Sequence, residues 1–297
     1  MSARTRVAAL ATVAVLVAGA CTSTTSPTPA ASTSAKPSAT TPTYTGLLGQ
    51  IQKDGKVTIG TSNDAPLSYV DSTTNKASGV LTDILVEFFS RQGLSPTVDM
   101  ISMQFGSLIP AVQSGQIEII GDAMYVRPAR AEIIDFSMTT FYNPEGLDVV
   151  KGNPKSIHQL ADLCGKSAGS YIGTTYIDQL TAQNAKCAAG SKIDIKTYPK
   201  IEDVFNDLSA GRIDAAVVDA SLSGYALKQN SSLAFELVGD YIPESKSTNN
   251  CAFGIAKGNQ AFLDAFNKTY AEMLADGTAA KLFTKWGLTP TDFFLKA

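Results

Sequence analysis

Past residue 55 the chain switches repeatedly between two hydrophobic periods. KVTIGT (56–61) is a short β-type run, whereas GVLTDILVEFFSRQG (79–93) places Ile84, Leu85, Phe88 and Phe89 at helical spacing and stops at a glycine. TVDMIS (97–102) is extended again, GSLIPAVQSG (106–115) predicts a short helix, and QIEIIGDAM (116–124) a strand. That β-α-β-α-β order implies parallel strands joined by crossover helices, an α/β layer architecture.

The same rhythm restarts after GLDVVKGN (146–153). Helix SIHQLADLC (156–164) leads to strand KSAGSY (166–171), and helix GTTYIDQLTAQNA (173–185) to strand KIDIKTY (192–198). Helix IEDVFNDLSAG (201–211) then precedes strand RIDAAVVD (212–219), with 220–229 helical. LIPAVQSGQIEII (108–120) and VFNDLSAGRIDAAVV (204–218) are analogous helix-glycine-strand units, which predicts two similar lobes. The tail from Cys251 offers one strand and two amphipathic helices, too little for a third sheet, so it is expected to return to the first lobe.

The N-terminus carries different chemistry. Arg4 and Arg6 precede an apolar run from Val7 to Ala20, the layout of a secretory signal over residues 1–20. The run is shorter than the roughly 20 residues of a spanning helix. Cys21 after Ala18-Gly19-Ala20 resembles a bacterial lipobox, which predicts lipidation of Cys21 and a membrane anchor on the outer face of the cell; Ala18 departs from the branched aliphatic usual there. From Thr22 to Thr45 every residue except Lys36 and Tyr44 is Ser, Thr, Pro or Ala. Such a segment buries nothing and reads as a disordered tether over 21–45.

The net charge is −3, and residues 1–45 hold three cations (Arg4, Arg6, Lys36) and no acid, which leaves −6 for the rest. With no basic stripe, nucleic acid is excluded as the expected partner. An exported location permits disulfides. Cys164 and Cys187 lie nearest in sequence and flank one strand-helix unit, so they are paired, leaving Cys251 as a free buried thiol.

Four segments in order carry a family resemblance: FGSLIPAVQSGQIEIIGDAMYVRPARAEIIDFS (105–137), CGKSAGSYIGTTY (164–176), SAGRIDAAVVD (209–219) and AFNKTYAEMLADGTAAKLFTKWG (265–287). With them the chain resembles the extracytoplasmic solute-binding proteins, family 3, of ABC importers for polar amino acids. The resemblance implies a two-lobed periplasmic-binding-protein-like fold of type II, with two hinge strands and a ligand cleft between the lobes. Lobe one would comprise 46–142 and 248–297, and lobe two 143–247. It also implies a monomer that captures a small zwitterionic solute and delivers it to a membrane permease, without cofactor or metal.

The resemblance places ligand-binding roles residue by residue. Arg130 matches the arginine that grips the α-carboxylate; a guanidinium supplies a planar, always-charged fork for that job. Pro128 suits the first turn of a helix that would orient it. Arg127 has no counterpart and is expected to be solvated or ion-paired. Thr174 and Thr175, in GTTY at a helix start, would face an anion, although simple N-capping explains them as well. Asp219 closes an apolar strand at its C-terminal end, where ligands collect, and matches the aspartate that pairs with an α-ammonium. Its bland alternative is another helix cap. Asp64, Phe105 and Tyr125 line the cleft by the same alignment, against turn formation for Asp64 and core packing for the aromatics. Phe105–Ser137 looks especially similar to the ectoine-binding branch, so ectoine or hydroxyectoine is the alternative solute. Leu67 and Asp219 point away from that branch.

An exported dehydratase-like enzyme on the same fold is the rival from another class. His158, the single histidine, falls in the helical SIHQLADL away from the matched cleft and reads as a solvated helix residue. Asp64 and Asp122 remain as candidate acids. No Ser/His/Asp set, metal-ligand spacing or phosphate-binding glycine loop is present, so no catalytic residue is assigned. A sensor domain would continue into a spanning helix and a signalling module.

Overall fold

The structure is a computed structural model that describes residues 42–243 and 249–290. The signal, Cys21 and most of the tether lie outside the described residues. Tyr44 does not belong to a tether: its hydroxyl donates to the Gln92 carbonyl at 2.8 Å, just before the fold begins.

Helix α1 (Gly46–Asp54) leads into strand β1 (Lys56–Thr61), a hairpin of β2 (Tyr69–Asp71) and β3 (Lys76–Ser78), and helix α2 (Val80–Arg91). Strand β4 (Thr97–Ser102), α3 (Leu108–Ser114), β5 (Ile119–Ile120), α4 (Pro128–Ala131) and β6 (Asp135–Phe136) follow. Strand β7 (Phe141–Tyr142) then crosses to β8 (Glu145–Val150), β9 (Ser167–Tyr171), α5 (Thr175–Lys186) and β10 (Asp194–Tyr198). Next come α6 (Ile201–Ser209), β11 (Ala215–Asp219), α7 (Ala220–Gln229) and β12 (Phe235–Leu237). Strand β13 (Asn250–Cys251) crosses back to β14 (Gly254–Ile255), α8 (Gln260–Ala275) and α9 (Thr278–Lys285).

These elements make two five-stranded sheets, ordered β4-β1-β5-β14-β6 and β10-β9-β11-β8-β12. Strand β1 runs parallel to β4 and β5, and β9 parallel to β10 and β11, as crossover helices require. Strand β14 enters the first sheet antiparallel to β5 and β6. Among the described residues the chain passes between the sheets only along β7 and β13, which pair antiparallel through Tyr142–Asn250 and Phe141–Cys251. This is the two-lobed fold with two hinge strands.

Each lobe has its own core. In the first, the apolar face of α2 meets α8 through Phe88, whose ring centroid lies 5.4 Å from Phe262 and 5.2 Å from Phe266. In the second, Phe205 of α6 stacks on Phe235 of β12 at 4.9 Å. All five residues of β11 are buried, which is why it reads as an unbroken apolar run rather than an alternation. The repeated helix-glycine-strand unit ends α3 at Gly115 (φ 75°) and α6 at Gly211 (φ 67°), left-handed positions that glycine occupies without strain.

Two expectations fail. Residues 116–124 form only the two-residue β5, because from Gly121 the backbone turns out of the sheet toward the cleft. Residues 156–164 are not a helix; only Leu160–Leu163 make a 3-10 turn. Asn153 bonds both the N–H and the C=O of Ile157, and Asp162 accepts the amides of His158 and Gln159. Side chains thus take up the backbone groups a helix would use. His158 lies in that loop, with Nδ1 3.0 Å from the Asp240 carboxylate.

Cys164 and Cys187 are joined, with Cα atoms 5.6 Å apart, and Cys251 is free and buried. No helix among the described residues is long and apolar enough to cross a membrane.

Candidate functional site

The C-terminal ends of strands from both sheets converge between the lobes. From the first lobe come Ser62 and Asp64 after β1, Phe105 after β4, Asp122 and Tyr125 after β5, and Arg130 on α4. From the second come Tyr171 at the end of β9, Thr174, Thr175 and Tyr176 at the start of α5, and Asp219 at the end of β11. Phe105, Tyr125, Arg130, Thr174, Thr175 and Asp219 line one cavity, together with Ala123, Tyr171 and Tyr176. Asp64 lies behind Tyr171, whose Oη is 3.5 Å from Asp64 Oδ2. Side chains leave a volume of about 10 Å³, close to the least that holds one water. A solute larger than water therefore enters only when the lobes separate.

Arg130 is half-buried on the single turn that starts at Pro128. Its Nη1 donates to the Tyr125 carbonyl and its Nη2, across the cleft, to the Gly173 carbonyl, both at 3.0 Å. The guanidinium stands 5.4 Å from the Phe105 ring centroid. Its partners are neutral, and burial together with Arg127 pulls its pKa down. Such a cation gains from an arriving carboxylate. Arg127 is not simply solvated: it lies 4.9 Å over the Tyr125 ring and donates to the Val126 carbonyl.

Asp219 does not cap α7 with its side chain. Its Oδ1 accepts from Tyr125 at 2.7 Å and Tyr176 at 2.5 Å, and its Oδ2 from Tyr171 at 3.3 Å. Burial raises its pKa to about 6, against the opposing pull of these phenols. Tyr171 and Tyr176 were not singled out from the sequence. Their one signal was position, an aromatic at a strand's end and another in the first turn after GTT.

A second acidic cluster sits on the first lobe. Ser62 Oγ is 2.7 Å from both Asp64 Oδ2 and Asp122 Oδ2. A hydroxyl has one hydrogen, so one of these contacts requires a carboxyl to donate, and the pair holds a proton. Burial raises the pKa of Asp122 too, but the amides of Ser62 (2.5 Å) and Ala123 (2.6 Å) that it accepts oppose the rise. Asp64 has no such support; burial, then Asp122, pushes its pKa well up, and the proton belongs to it. Two polar atoms here, Asp64 Oδ1 and Thr175 Oγ1, are buried without a hydrogen-bond partner among the described residues. Thr174 Oγ1 turns back to the Tyr171 carbonyl at 2.8 Å instead of capping α5.

An anion-seeking fork and a buried carboxylate thus reach one cavity from opposite lobes, in a chain whose pattern of bacterial extracellular solute-binding proteins, family 3, extends over residues 57–289. The chain belongs to that family. Among its relatives, the L-cystine-binding protein TcyJ of Escherichia coli (strain K12) is 27% identical over 243 residues, 81% of this chain and 86% of TcyJ. An ancestral arginine-binding protein solved with arginine is 30% identical, with a TM-score of 0.69 over 78% of this chain and 98% of that one. An ancestral amino acid-binding protein described as a precursor of cyclohexadienyl dehydratase is 26% identical, with a TM-score of 0.69 over 80% and 98%. The family is one of extracytoplasmic binding proteins, which fits the export signal read at the N-terminus.

Proposed function

We propose that this chain, lipidated at Cys21 and tethered outside the membrane, captures a zwitterionic amino acid by closing its lobes and delivers it to an ABC permease. Arg130 takes the α-carboxylate and Asp219 the α-ammonium. Thr175, with its unpartnered hydroxyl, adds a donor beside the carboxylate. Phe105 and Tyr125 form walls around the rest of the solute, and Asp64, behind Tyr171, acts on it only once that phenol moves. The observation that carries this reading is the placement of Arg130 and Asp219, one from each lobe, on one cavity. Capture by closure removes water and strengthens both charge pairs. The amino acids named for the relatives, cystine and arginine, support the class of solute and leave its side chain open.

A thermal-shift screen across amino acids, ectoine, hydroxyectoine and betaines tests the class, since a ligand that binds the folded state raises its apparent stability. An amino acid is expected to give the largest shift. A shift from ectoines alone would transfer the site to a cyclic compatible solute, and no shift from any member would remove the reading. One observation favours a dehydratase as second reading: Asp64 and Asp122 meet at the Ser62 hydroxyl behind the cavity, each at 2.7 Å, an arrangement that would make Asp64 a potential acid. Mass spectrometry of the recovered solute decides between them, with an unaltered mass expected.

A further inference from the structure

Beside the cavity the lobes touch backbone to backbone. Gly173, between β9 and α5, packs against Gly106, between β4 and α3. A Cβ placed on Gly173 would lie 2.5 Å from Gly106 Cα and 2.8 Å from Gly106 N. Those are backbone atoms of the opposite lobe and cannot swing aside. In the other direction the approach is looser: a Cβ on Gly106 would meet Gly173 Cα, Ile172 Cγ2 and Ile172 O at 3.6 Å. On either side of this point run the other contacts across the cleft. Phe105 meets Tyr171 edge to face at 5.9 Å, and Arg130 Nη2 reaches the Gly173 carbonyl at 3.0 Å.

We infer that Gly173 is the residue that sets how far the lobes close, by letting its bare backbone rest on Gly106. Any side chain at 173 holds the lobes apart by the width of a methyl group. Arg130 and Phe105 then lose their reach to the second lobe, and the two ends of the solute can no longer be held together. Gly173 is in this sense a positioning residue: it acts through the distance between Arg130 and Asp219. The inference rests on the proposed solute site for its consequence in binding, and on the geometry alone for its consequence in closure.

The test separates clash from strain, because Gly173 also has φ 87°, which alone disfavours a side chain. Gly211, in the same lobe, has φ 67° and nothing within 4 Å of an added Cβ, so Gly211→Ala carries strain without clash. Gly106→Val carries bulk without left-handed strain and attacks the same contact from the other lobe. Small-angle scattering and calorimetry with L-arginine and L-cystine would be run on the full chain and these variants. Wild-type scattering is expected to match this closed structure with a probe bound. Gly173→Ala and Gly106→Val are expected to stay more open and to bind at least ~10-fold more weakly, because the competent closed form becomes a minor population. Gly211→Ala is expected to close and bind as wild type does. Closure and affinity unchanged in both clash variants, or equally damaged in Gly211→Ala, would overturn the inference; so would wild-type scattering that never matches this structure. Matching scattering without probe binding would instead remove the proposed solutes and leave the role of Gly173 standing.

Discussion

The two halves of the cleft meet charge in opposite ways. On the first lobe, Arg130 stands on one turn of helix, half-buried, and its hydrogen-bond partners among the described residues are carbonyl oxygens. On the second, Asp219 ends a wholly buried strand and its carboxylate is already covered by three phenols. The difference suggests an order of events. On the proposed reading, the first lobe, with a charge still seeking a counter-ion, would engage the solute first, and the second would contribute only when an ammonium displaces phenols from a fixed carboxylate. The second half is also the stapled one: the disulfide holds the far end of α5, the helix whose first turn supplies Thr175 and Tyr176.

The largest effect expected from breaking this asymmetry is on stability. Replacing Cys164 and Cys187 by serine frees a loop spanning 23 residues of sequence. It should cost about 3 kcal/mol of unfolding free energy on loop-entropy grounds. Denaturant unfolding measures it, and an unchanged midpoint would mean that the staple is idle. Next comes Arg130→Ala. Deleting charge-assisted bonds worth about 1.5–3 kcal/mol each should weaken solute binding ~100-fold or more. Calorimetry should show this loss, with thermal stability nearly unchanged because the partners left behind are carbonyls.

The third contrast is in pH. Folding raises Asp219 from the usual carboxylate value to about 6, so the folded protein holds a proton there that the unfolded chain has lost. Between pH ~4 and ~6 this group therefore lowers stability as pH rises. Solute binding has the opposite sign, since an ammonium requires the ionised carboxylate. Affinity should fall by roughly tenfold per pH unit below 6, with a proton released on binding. Asp219→Asn should flatten that profile; a wild-type profile already flat between pH 5 and 7 would exclude ammonium pairing at Asp219. The smallest effect is expected of Tyr125→Phe. It removes a bond between the lobes and should shift the closed form of the solute-free protein by a factor of about two to ten. Scattering would detect the shift.

What the sequence revealed follows from the range of the interactions involved. Strand β1, helix α2 and the two helix-glycine-strand units are local patterns and were legible. Residues 156–164 were misread because Asn153 and Asp162 capture backbone groups, a competition that hydrophobic spacing does not register. Arg130 and Asp219 could be picked out because their flanking segments are distinctive. Tyr125 could be placed in the cleft, but Tyr171 and Tyr176 could not be placed around Asp219, which they reach from 48 and 43 residues away. Nor could the meeting of Asp64 and Asp122, whose common partner Ser62 is 60 residues from Asp122. The contact of Gly106 with Gly173 exists only once the lobes are assembled.

The central claim, that the two lobes divide the two ends of one dipolar solute, is most directly tested by a crystal structure with the strongest ligand of the thermal-shift screen. The account predicts its carboxylate in a forked contact with Arg130 and its ammonium on Asp219, with Tyr125 displaced from the carboxylate. A solute bound with those ends exchanged, or held by one lobe without touching the other, would contradict it.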